Sequence, residues 1–251
     1  MAQFVLVPGI WLGGWVWRKV GVRLATAGHT TWTPTLTGLG ERSHIVGPWV
    51  GLETHVEDVV NVIEREGLDD LILVGHGYGG TVAAAVADRV PERVARLVFV
   101  ASSVPQDARS VVEVAAPWLR SLIEVGAEAK DDVRVLPIPP AEDLGRHVAI
   151  SDMSDADRTW FWANAAAHPV GSLERPVTLA GAGADVPTTY VRCLADEMVT
   201  GPVRQLPVDW EVRSVRSGHW PMVTRPDELT DVLREAAEAP LELPQSMATM
   251  R

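Results

Sequence analysis

The segment from residue 71 to residue 90 constrains the fold more than any other part of this chain. Residues 71–74 (Leu-Ile-Leu-Val) form an uninterrupted apolar run, which is typical of a parallel strand covered on both faces. A glycine-rich hexapeptide follows at 75–80 (Gly-His-Gly-Tyr-Gly-Gly), and an alanine- and valine-rich stretch then predicts a helix from Thr81 to Val90. Parallel α/β sheets are built from this unit of buried strand, tight turn and helix.

Other apolar runs predict the remaining strands of the same sheet. They lie at residues 4–7, 30–33, 94–100, 188–192 and 211–215. Helical periodicity fills the intervals between them; Thr54 with Glu57 resembles a capping box, and Pro226 opens a last helix that runs to about Ala239. We therefore predict an α/β fold with a mostly parallel central sheet flanked by helices.

Periodicity weakens in the middle of the chain, which divides the prediction into parts. Prolines interrupt residues 104–185, and this segment predicts an inserted cap of short helices. The core then comprises residues 1–103 and 186–240, and residues 241–251 form a poorly ordered tail. A length of 251 residues fits one such domain with its cap.

Charge and cysteine usage exclude several kinds of partner. Lys plus Arg number 22 and Asp plus Glu 33, so the formal net charge is 22 − 33 = −11, which disfavours nucleic acids and anionic membranes. No apolar run is long enough to span a membrane. The single cysteine, Cys193, allows no internal disulfide and fits the cytoplasm. We expect a cytoplasmic protein that binds a small-molecule substrate but no nucleic acid or membrane, and homodimerisation stays open.

The hexapeptide at 75–80 fits two chemistries. Its spacing Gly75-x-Gly77-x-x-Gly80 matches a dinucleotide-binding turn, which would indicate an NAD-binding oxidoreductase. That interpretation needs an acidic residue about 20 positions later, at the end of the next strand, and residues 99–103 contain none. The same turn fits a nucleophile elbow, in which small residues flank a central nucleophile. The central residue here is Gly77, which has no side chain.

Motifs elsewhere in the chain favour the elbow. An elbow enzyme needs backbone donors after an early strand, then an acid after a late strand, then a histidine after the last strand. The chain has residues 8–11 (Pro-Gly-Ile-Trp), then Asp196 with Glu197 as its rival, then His219. We favour Asp196 over Glu197 by its place in the motif.

On these motifs the chain resembles the α/β-hydrolase superfamily, and within it the branch of plant-type methylesterases, hydroxynitrile lyases and their actinobacterial relatives. The matching segments are residues 4–15, 34–42, 73–80 and 218–222. The resemblance implies an eight-stranded-type core sheet, a helical cap, no metal and no organic cofactor. It implies that His219 is the catalytic base and that Asp196 orients it. It also implies that the backbone N–H groups of Ile10 and Tyr78 form an oxyanion hole.

Gly77 departs from the family, because it stands where the family has its serine nucleophile. Loss of such a serine costs about 10⁶ in turnover in a protease, while the oxyanion hole and binding retain roughly 10³–10⁴ over water. One interpretation is a hydrolase inactivated at Gly77. Another is a natural enzyme that uses His219 as a general base, including a lyase, cyclase or isomerase of natural-product metabolism. A non-catalytic ligand-binding protein is the least favoured.

Tryptophan usage is skewed, with ten tryptophans against three phenylalanines and two tyrosines. Bulky rings of this kind build either a core or an aromatic-walled cavity. Because Trp11 follows Ile10 and Trp220 follows His219, we predict that both line the substrate cavity together with Tyr78. The cap adds three candidates for substrate binding, namely Trp118, Trp160 and Trp162, whereas Trp15 and Trp17 are predicted to lie in the core. The expected substrate is a small-to-medium, neutral, apolar carbonyl compound.

Overall fold

The computed structural model describes residues 1–196 and 206–239. Its strands are β1 (Gln3–Val7), β2 (Thr30–Trp32), β3 (Leu71–His76), β4 (Val94–Val100), β5 (Glu128–Lys130), β6 (Val133–Leu136), β7 (His168–Pro169), β8 (Thr188–Cys193) and β9 (Glu211–Val215). Its helices are α1 (Arg18–Thr26), α2 (Leu52–Arg65), α3 (Tyr78–Arg89), α4 (Val111–Val114), α5 (Pro117–Gly126), α6 (Ala141–Leu144), α7 (Asp155–Asn164), α8 (Gly171–Glu174), α9 (Pro221–Thr224) and α10 (Pro226–Glu238).

The central sheet has six strands in the order β2-β1-β3-β4-β8-β9, and every neighbouring pair is parallel. All six residues of β3 are buried, because β1 and β4 pair with it and helices cover its faces. The predicted α/β fold is thereby confirmed. The resemblance implied an eight-stranded-type sheet, whereas the described residues contribute six strands; the other short strands pair separately, in an antiparallel sheet of β5, β6 and β7.

Residues 104–185 contain more than the short helices that we predicted. Helices α4 to α8 are present, but the small antiparallel sheet lies in the same segment. Its hairpin pairs Lys130 with Val133 across a two-residue turn, and Asp131 in that turn adopts a positive φ of 52°, a conformation that aspartate tolerates better than most residues. The predicted tail at 241–251 lies outside the described residues.

Helix α2 begins differently from the prediction. It starts at Leu52 with Gly51 as its N-cap, so Thr54 is the third helical residue and its hydroxyl accepts a hydrogen bond from the Gly51 N–H at 3.2 Å. The Glu57 carboxylate pairs with Arg89 on α3 instead of capping the helix. Helix α2 is thus fastened to the helix that follows the glycine-rich turn.

The two tryptophans assigned to the core differ in burial. Trp17 is completely buried, whereas Trp15 is half-buried and packs edge-to-face on Trp160. No helix in the described part of the chain is long and apolar enough to cross a membrane.

Candidate active site

Gly77 joins β3 to α3 in a sharp turn with φ 52° and ψ −121°. The neighbouring glycines are required by close backbone approach. A Cβ on Gly79 would lie 2.6 Å from the carbonyl oxygens of Val7 and Pro8, and one on Gly75 would overlap the Gly79 carbonyl. Strand and helix therefore meet as closely as a nucleophile elbow requires.

Gly77 itself has room for a side chain. The nearest atoms to an ideal Cβ at this position are Nε2 of His219 at 3.8 Å and Cα of Gly9 at 4.0 Å. The positive φ alone disfavours a larger residue here, because L side chains rarely adopt it. A side chain at position 77 would face the imidazole of His219.

His219 follows β9, and the carboxylate of Asp196, which follows β8, holds its ring. The Nδ1–H of His219 donates to Oδ2 of Asp196 at 2.6 Å, and the Ala149 N–H donates to Oδ1 at 3.2 Å. Asp196 is completely buried. Burial raises the pKa of Asp196, but the charge and hydrogen bond of His219 outweigh it, so the pKa lies below its ordinary value. With the proton on Nδ1, the Nε2 lone pair is free to accept one.

Hydrogen bonds to the backbone of Gly218 and His219 fix the position of His219. They come from the 104–185 segment and from His76 at the end of β3. Its N–H donates to the Ala149 carbonyl at 2.9 Å, and the N–H of Gly218 donates to Asp152 at 2.9 Å. From the other side, Nε2 of His76 donates to the His219 carbonyl at 2.9 Å. Burial and the neighbouring His219 lower the pKa of His76 to about 3, so its ring is neutral. The sequence does not predict the roles of Ala149 and Asp152, because hydrogen bonds to the backbone N–H groups of Gly218 and His219 require no particular residue type and so produce no motif.

Two backbone amides flank the turn. Ile10 follows β1 and Tyr78 is the first residue of α3, and both line the cavity. Neither N–H donates to another group within the described ranges 1–196 and 206–239. Free N–H groups, one of them at a helix N-terminus, can stabilise a negatively charged oxygen.

The cavity in front of Gly77 has a volume of about 500 Å³. Three tryptophans form part of its wall, namely Trp11, Trp118 and Trp220. Its non-aromatic polar side chains besides the histidines are Thr81, Ser103 and Gln106. No Asp, Glu, Lys or Arg is among the described residues that line it, and a cavity of this kind suits a neutral and largely apolar ligand.

The structure gathers most of the predicted site residues around this cavity. They are Ile10, Trp11, Gly77, Tyr78, Trp118, His219 and Trp220, with Asp196 directly behind His219. Trp160 and Trp162 are exceptions and do not line it. Helix α7 turns Trp160 onto Trp15 and directs the Trp162 indole N–H to the Pro139 carbonyl at 2.9 Å. Glu197 lies outside the described residues.

Comparisons with known proteins agree with this geometry. Residues 4–232 match the sequence model of the alpha/beta hydrolase family. The chain is 38% identical over 247 residues to a carbendazim hydrolyzing esterase of Nocardioides sp. (strain SG-4G), covering 93% of this chain and 98% of that protein. It is 26% identical over 266 residues to methylesterase 7 of Arabidopsis thaliana, covering 94% and 96% of the two chains.

Among solved structures, the chain resembles an extracellular alpha/beta-hydrolase from a Paenibacillus species. That protein is described as sharing structural and functional homology with Tobacco Salicylic Acid Binding Protein 2. The TM-score is 0.81 at 25% sequence identity, and the match covers 94% of this chain and 99% of that one.

Proposed function

The chain belongs to the α/β-hydrolase family, and from this premise we propose that it acts on a neutral, largely apolar carbonyl compound with His219 as general base. Its esterase relatives establish an enzyme of hydrolase type with ester hydrolase ancestry. The reaction that we propose is direct hydrolysis of an ester-type bond by water, without an acyl-enzyme.

The observation that carries this proposal is the buried pair of Asp196 and His219. A buried carboxylate costs free energy unless it is paired and hydrogen-bonded, and Asp196 is completely buried with its oxygen 2.6 Å from Nδ1 of His219. With the ring proton on Nδ1, this pair places Nε2 of His219 beside the open space at Gly77. An imidazole in this state is suited to accept a proton.

The space beside Gly77 suits a water molecule. A water there would donate a hydrogen bond to Nε2 of His219 while its oxygen attacks the carbonyl carbon of the substrate. His219 would accept the proton of this water, and the oxyanion would receive hydrogen bonds from the N–H groups of Ile10 and Tyr78. The intermediate would then expel the alcohol, which takes the proton from His219. One ester and one water give one acid and one alcohol.

The substrate class follows from the cavity wall and from the relatives. The tryptophans at 11, 118 and 220 offer flat apolar contacts, and the described lining residues include no carboxylate, ammonium or guanidinium group. The relative named for carbendazim hydrolysis makes that compound a rational first test.

A second candidate is proton transfer on the substrate itself, as in a lyase, cyclase or isomerase. It is favoured by the same open space, because the described atoms nearest to a Cβ built on Gly77, its chain neighbours aside, are Nε2 of His219 at 3.8 Å and Cα of Gly9 at 4.0 Å. A substrate carbon or hydroxyl could occupy this space and give its proton directly to His219.

Turnover of neutral esters and carbendazim in ¹⁸O-labelled water tests the first candidate and separates it from the second. We expect one labelled oxygen in the product acid, no covalent enzyme adduct by mass spectrometry, and a loss of about 10³-fold in rate for His219→Ala. The exposed His44 supplies a matched control, His44→Ala, whose rate should equal that of the parent. A product that is rearranged, or cleaved without taking up the label, would favour the second candidate. An unchanged rate in His219→Ala would remove this residue from the mechanism.

A further inference from the structure

Two histidines with no role in the chemistry above lie buried behind the predicted oxyanion hole. His55 on α2 and His168 on β7 are both completely buried. Their ring centroids are 6.1 Å apart, and the Tyr78 ring packs edge-to-face on both, at 5.7 Å from His55 and 5.0 Å from His168. A buried imidazole needs hydrogen-bond partners, so the partners of each ring indicate what it holds.

His168 holds the backbone after Ile10. The Trp11 N–H donates to Nδ1 of His168 at 3.3 Å. Since Nδ1 accepts this bond, the ring proton is on Nε2 and is donated to the Ser172 hydroxyl at 2.8 Å. The Ser172 hydroxyl in turn donates to the Pro169 carbonyl at 2.8 Å. Every hydrogen bond in this series therefore has a fixed direction, which runs from the Trp11 N–H to the Pro169 carbonyl.

Trp11 needs such support because its backbone is strained. Its φ is 68°, a region that costs a bulky L residue roughly 1–3 kcal/mol. Two further hydrogen bonds hold it, from its indole N–H to the Leu136 carbonyl and from the Ala166 N–H to its own carbonyl, both at 2.9 Å. The Trp11 N–H is directed at His168, and the neighbouring Ile10 N–H donates to no acceptor within the described part of the chain.

His55 holds the other amide through the Tyr78 side chain. Its Nε2–H donates to the Thr37 carbonyl at 2.8 Å, so its Nδ1 accepts the Tyr78 hydroxyl at 2.7 Å. Tyr78 is the first residue of α3 and follows Gly77 directly. Fixing its ring therefore fixes the first turn of the helix, which places Tyr78 at the cavity wall.

Both rings have to stay neutral to accept these bonds. Burial lowers the pKa of His55 to about 4, and burial followed by the proximity of His55 lowers the pKa of His168 well below its ordinary value. An imidazolium would have no lone pair on Nδ1 and would release Trp11 or Tyr78.

We propose that His55 and His168 are positioning residues, each of which holds one amide donor of the oxyanion hole in place. His168 acts on Ile10 through the backbone of Trp11, and His55 acts on Tyr78 through its hydroxyl. The inference rests on the proposed function, because it assumes that these two amides stabilise an oxyanion.

The first test replaces each histidine by asparagine and by leucine. The asparagine oxygen can replace Nδ1 as acceptor, whereas leucine cannot accept a hydrogen bond. In a Gly77→Ser background we expect His168→Leu and His55→Leu to lose about 30-fold in kcat for 4-nitrophenyl acetate, with KM within about twofold, since donors to an oxyanion act mainly in the transition state. The asparagine variants should regain most of this kcat, and His44→Leu should change nothing. Equal losses for leucine and asparagine would indicate a merely structural role and overturn the proposal.

The second test needs no activity and uses the chain with Gly77 unchanged. Long-range ¹H–¹⁵N NMR should find the proton on Nε2 of both rings, and the amide signals of Ile10 and Tyr78 should move in the leucine variants and return in the asparagine variants. A proton on Nδ1, or Ile10 and Tyr78 signals that stay in place, would overturn the proposal. If the leucine variants do not fold, the ring tautomers of the parent decide it.

The two tests separate this inference from the proposed function. Altered amide signals together with a parent chain that hydrolyses no neutral ester would refute the proposed function and keep the positioning role. Hydrolysis with the same kcat in the His55 and His168 leucine variants would support the proposed function and refute the positioning role.

Discussion

The two sides of the cavity that meet at Gly77 differ in charge. On the base side, His219 rests on the carboxylate of Asp196, which is completely buried and has a lowered pKa. On the oxyanion side, the buried histidines at 55 and 168 have lowered pKa values and are neutral, and the groups that we propose to bind the oxyanion are the backbone amides of Ile10 and Tyr78. A buried charge supports the group that we propose as proton acceptor, and neutral acceptors support the groups that we propose as hydrogen-bond donors to the oxyanion. Both sides have their supporting contacts without any side chain at Gly77.

A hydroxyl placed between the two sides tests most strongly whether they work together. Gly77→Ser would put Cβ 3.8 Å from Nε2 of His219 and 4.0 Å from Cα of Gly9, which are the nearest described atoms apart from its chain neighbours. We expect the hydrolysis of 4-nitrophenyl acetate to rise by about 10⁴-fold, since loss of a serine nucleophile costs about 10⁶ in a protease. The release of 4-nitrophenolate measures the effect.

Gly77→Ala is the matched control for this gain, because it adds the same Cβ without a hydroxyl. Its rate should not exceed that of the parent, because the added methyl group occupies part of the space that we propose for the water. If Gly77→Ser folds and still hydrolyses no faster than Gly77→Ala, the two sides do not form a hydrolytic pair.

Removal of the buried charge breaks the base side alone. In the Gly77→Ser background, Asp196→Asn should lower kcat by about 10³-fold, because a neutral amide neither stabilises the imidazolium nor fixes the ring tautomer. Asp152→Asn is the control, since the asparagine oxygen can still accept the Gly218 N–H that Asp152 now accepts at 2.9 Å. Similar losses in both variants would show that packing, and not the charge of Asp196, supports His219.

The difference between the two sides also decides what the sequence could predict. Strand β3, Gly77 and α3 are specified locally, by an apolar run and by glycines that the close approach requires. Asp196 and His219 follow strands in the order that elbow enzymes share, so the motif order predicts that they lie together, as their contact of 2.6 Å shows. The arrangement of the base side can therefore largely be predicted from the sequence.

The hydrogen bonds that hold the oxyanion side could not be predicted from the sequence in the same way. The hydrogen bond from Trp11 to His168 joins residues 157 positions apart, and its donor is a backbone group that carries no sequence signal. Trp160 and Trp162 were wrongly assigned to the cavity because the sequence does not show which way α7 turns its aromatic side chains. The prediction of a capping box from Thr54 and Glu57 is wrong because the N-cap of α2 is Gly51. A glycine has no side chain that would indicate a cap in the sequence.

The stability of the chain in acid should separate the buried histidines from Asp196 by pH. The folded-state pKa values of His55 (about 4), His76 (about 3) and His168 lie below the value of about 6.5 expected in the unfolded chain. The unfolded chain therefore binds more protons below pH 6.5, and each histidine lowers the free energy of unfolding by about 1.4 kcal/mol per pH unit, or about 4 kcal/mol for all three. Asp196 acts in a lower window, because its lowered pKa stabilises the fold above about pH 4 and this contribution is lost only below it.

Urea unfolding at pH 7.5, 6.5, 5.5 and 5.0 measures this slope. His55→Asn should reduce it by about a third, since one of the three titrating groups is gone. Asp196→Asn should lower stability at every pH in this range without changing the slope, and it should remove the further loss that Asp196 causes below about pH 4. A flat profile between pH 6.5 and 5.0 would mean that the histidines of the oxyanion side are protonated in the folded chain, which contradicts their role as acceptors.

The smallest effect concerns the turn between the two sides, where neighbouring glycines should respond differently to one added methyl group. Gly79→Ala forces Cβ to within 2.6 Å of the carbonyl oxygens of Val7 and Pro8, and such overpacking costs about 3 kcal/mol in the free energy of unfolding. Gly77→Ala meets open space and carries only the strain of its positive φ, about 1 kcal/mol. Chemical denaturation of both variants measures the difference. Equal losses would mean that the space beside Gly77 is closed in the folded protein, and then neither a water nor a serine hydroxyl could reach His219.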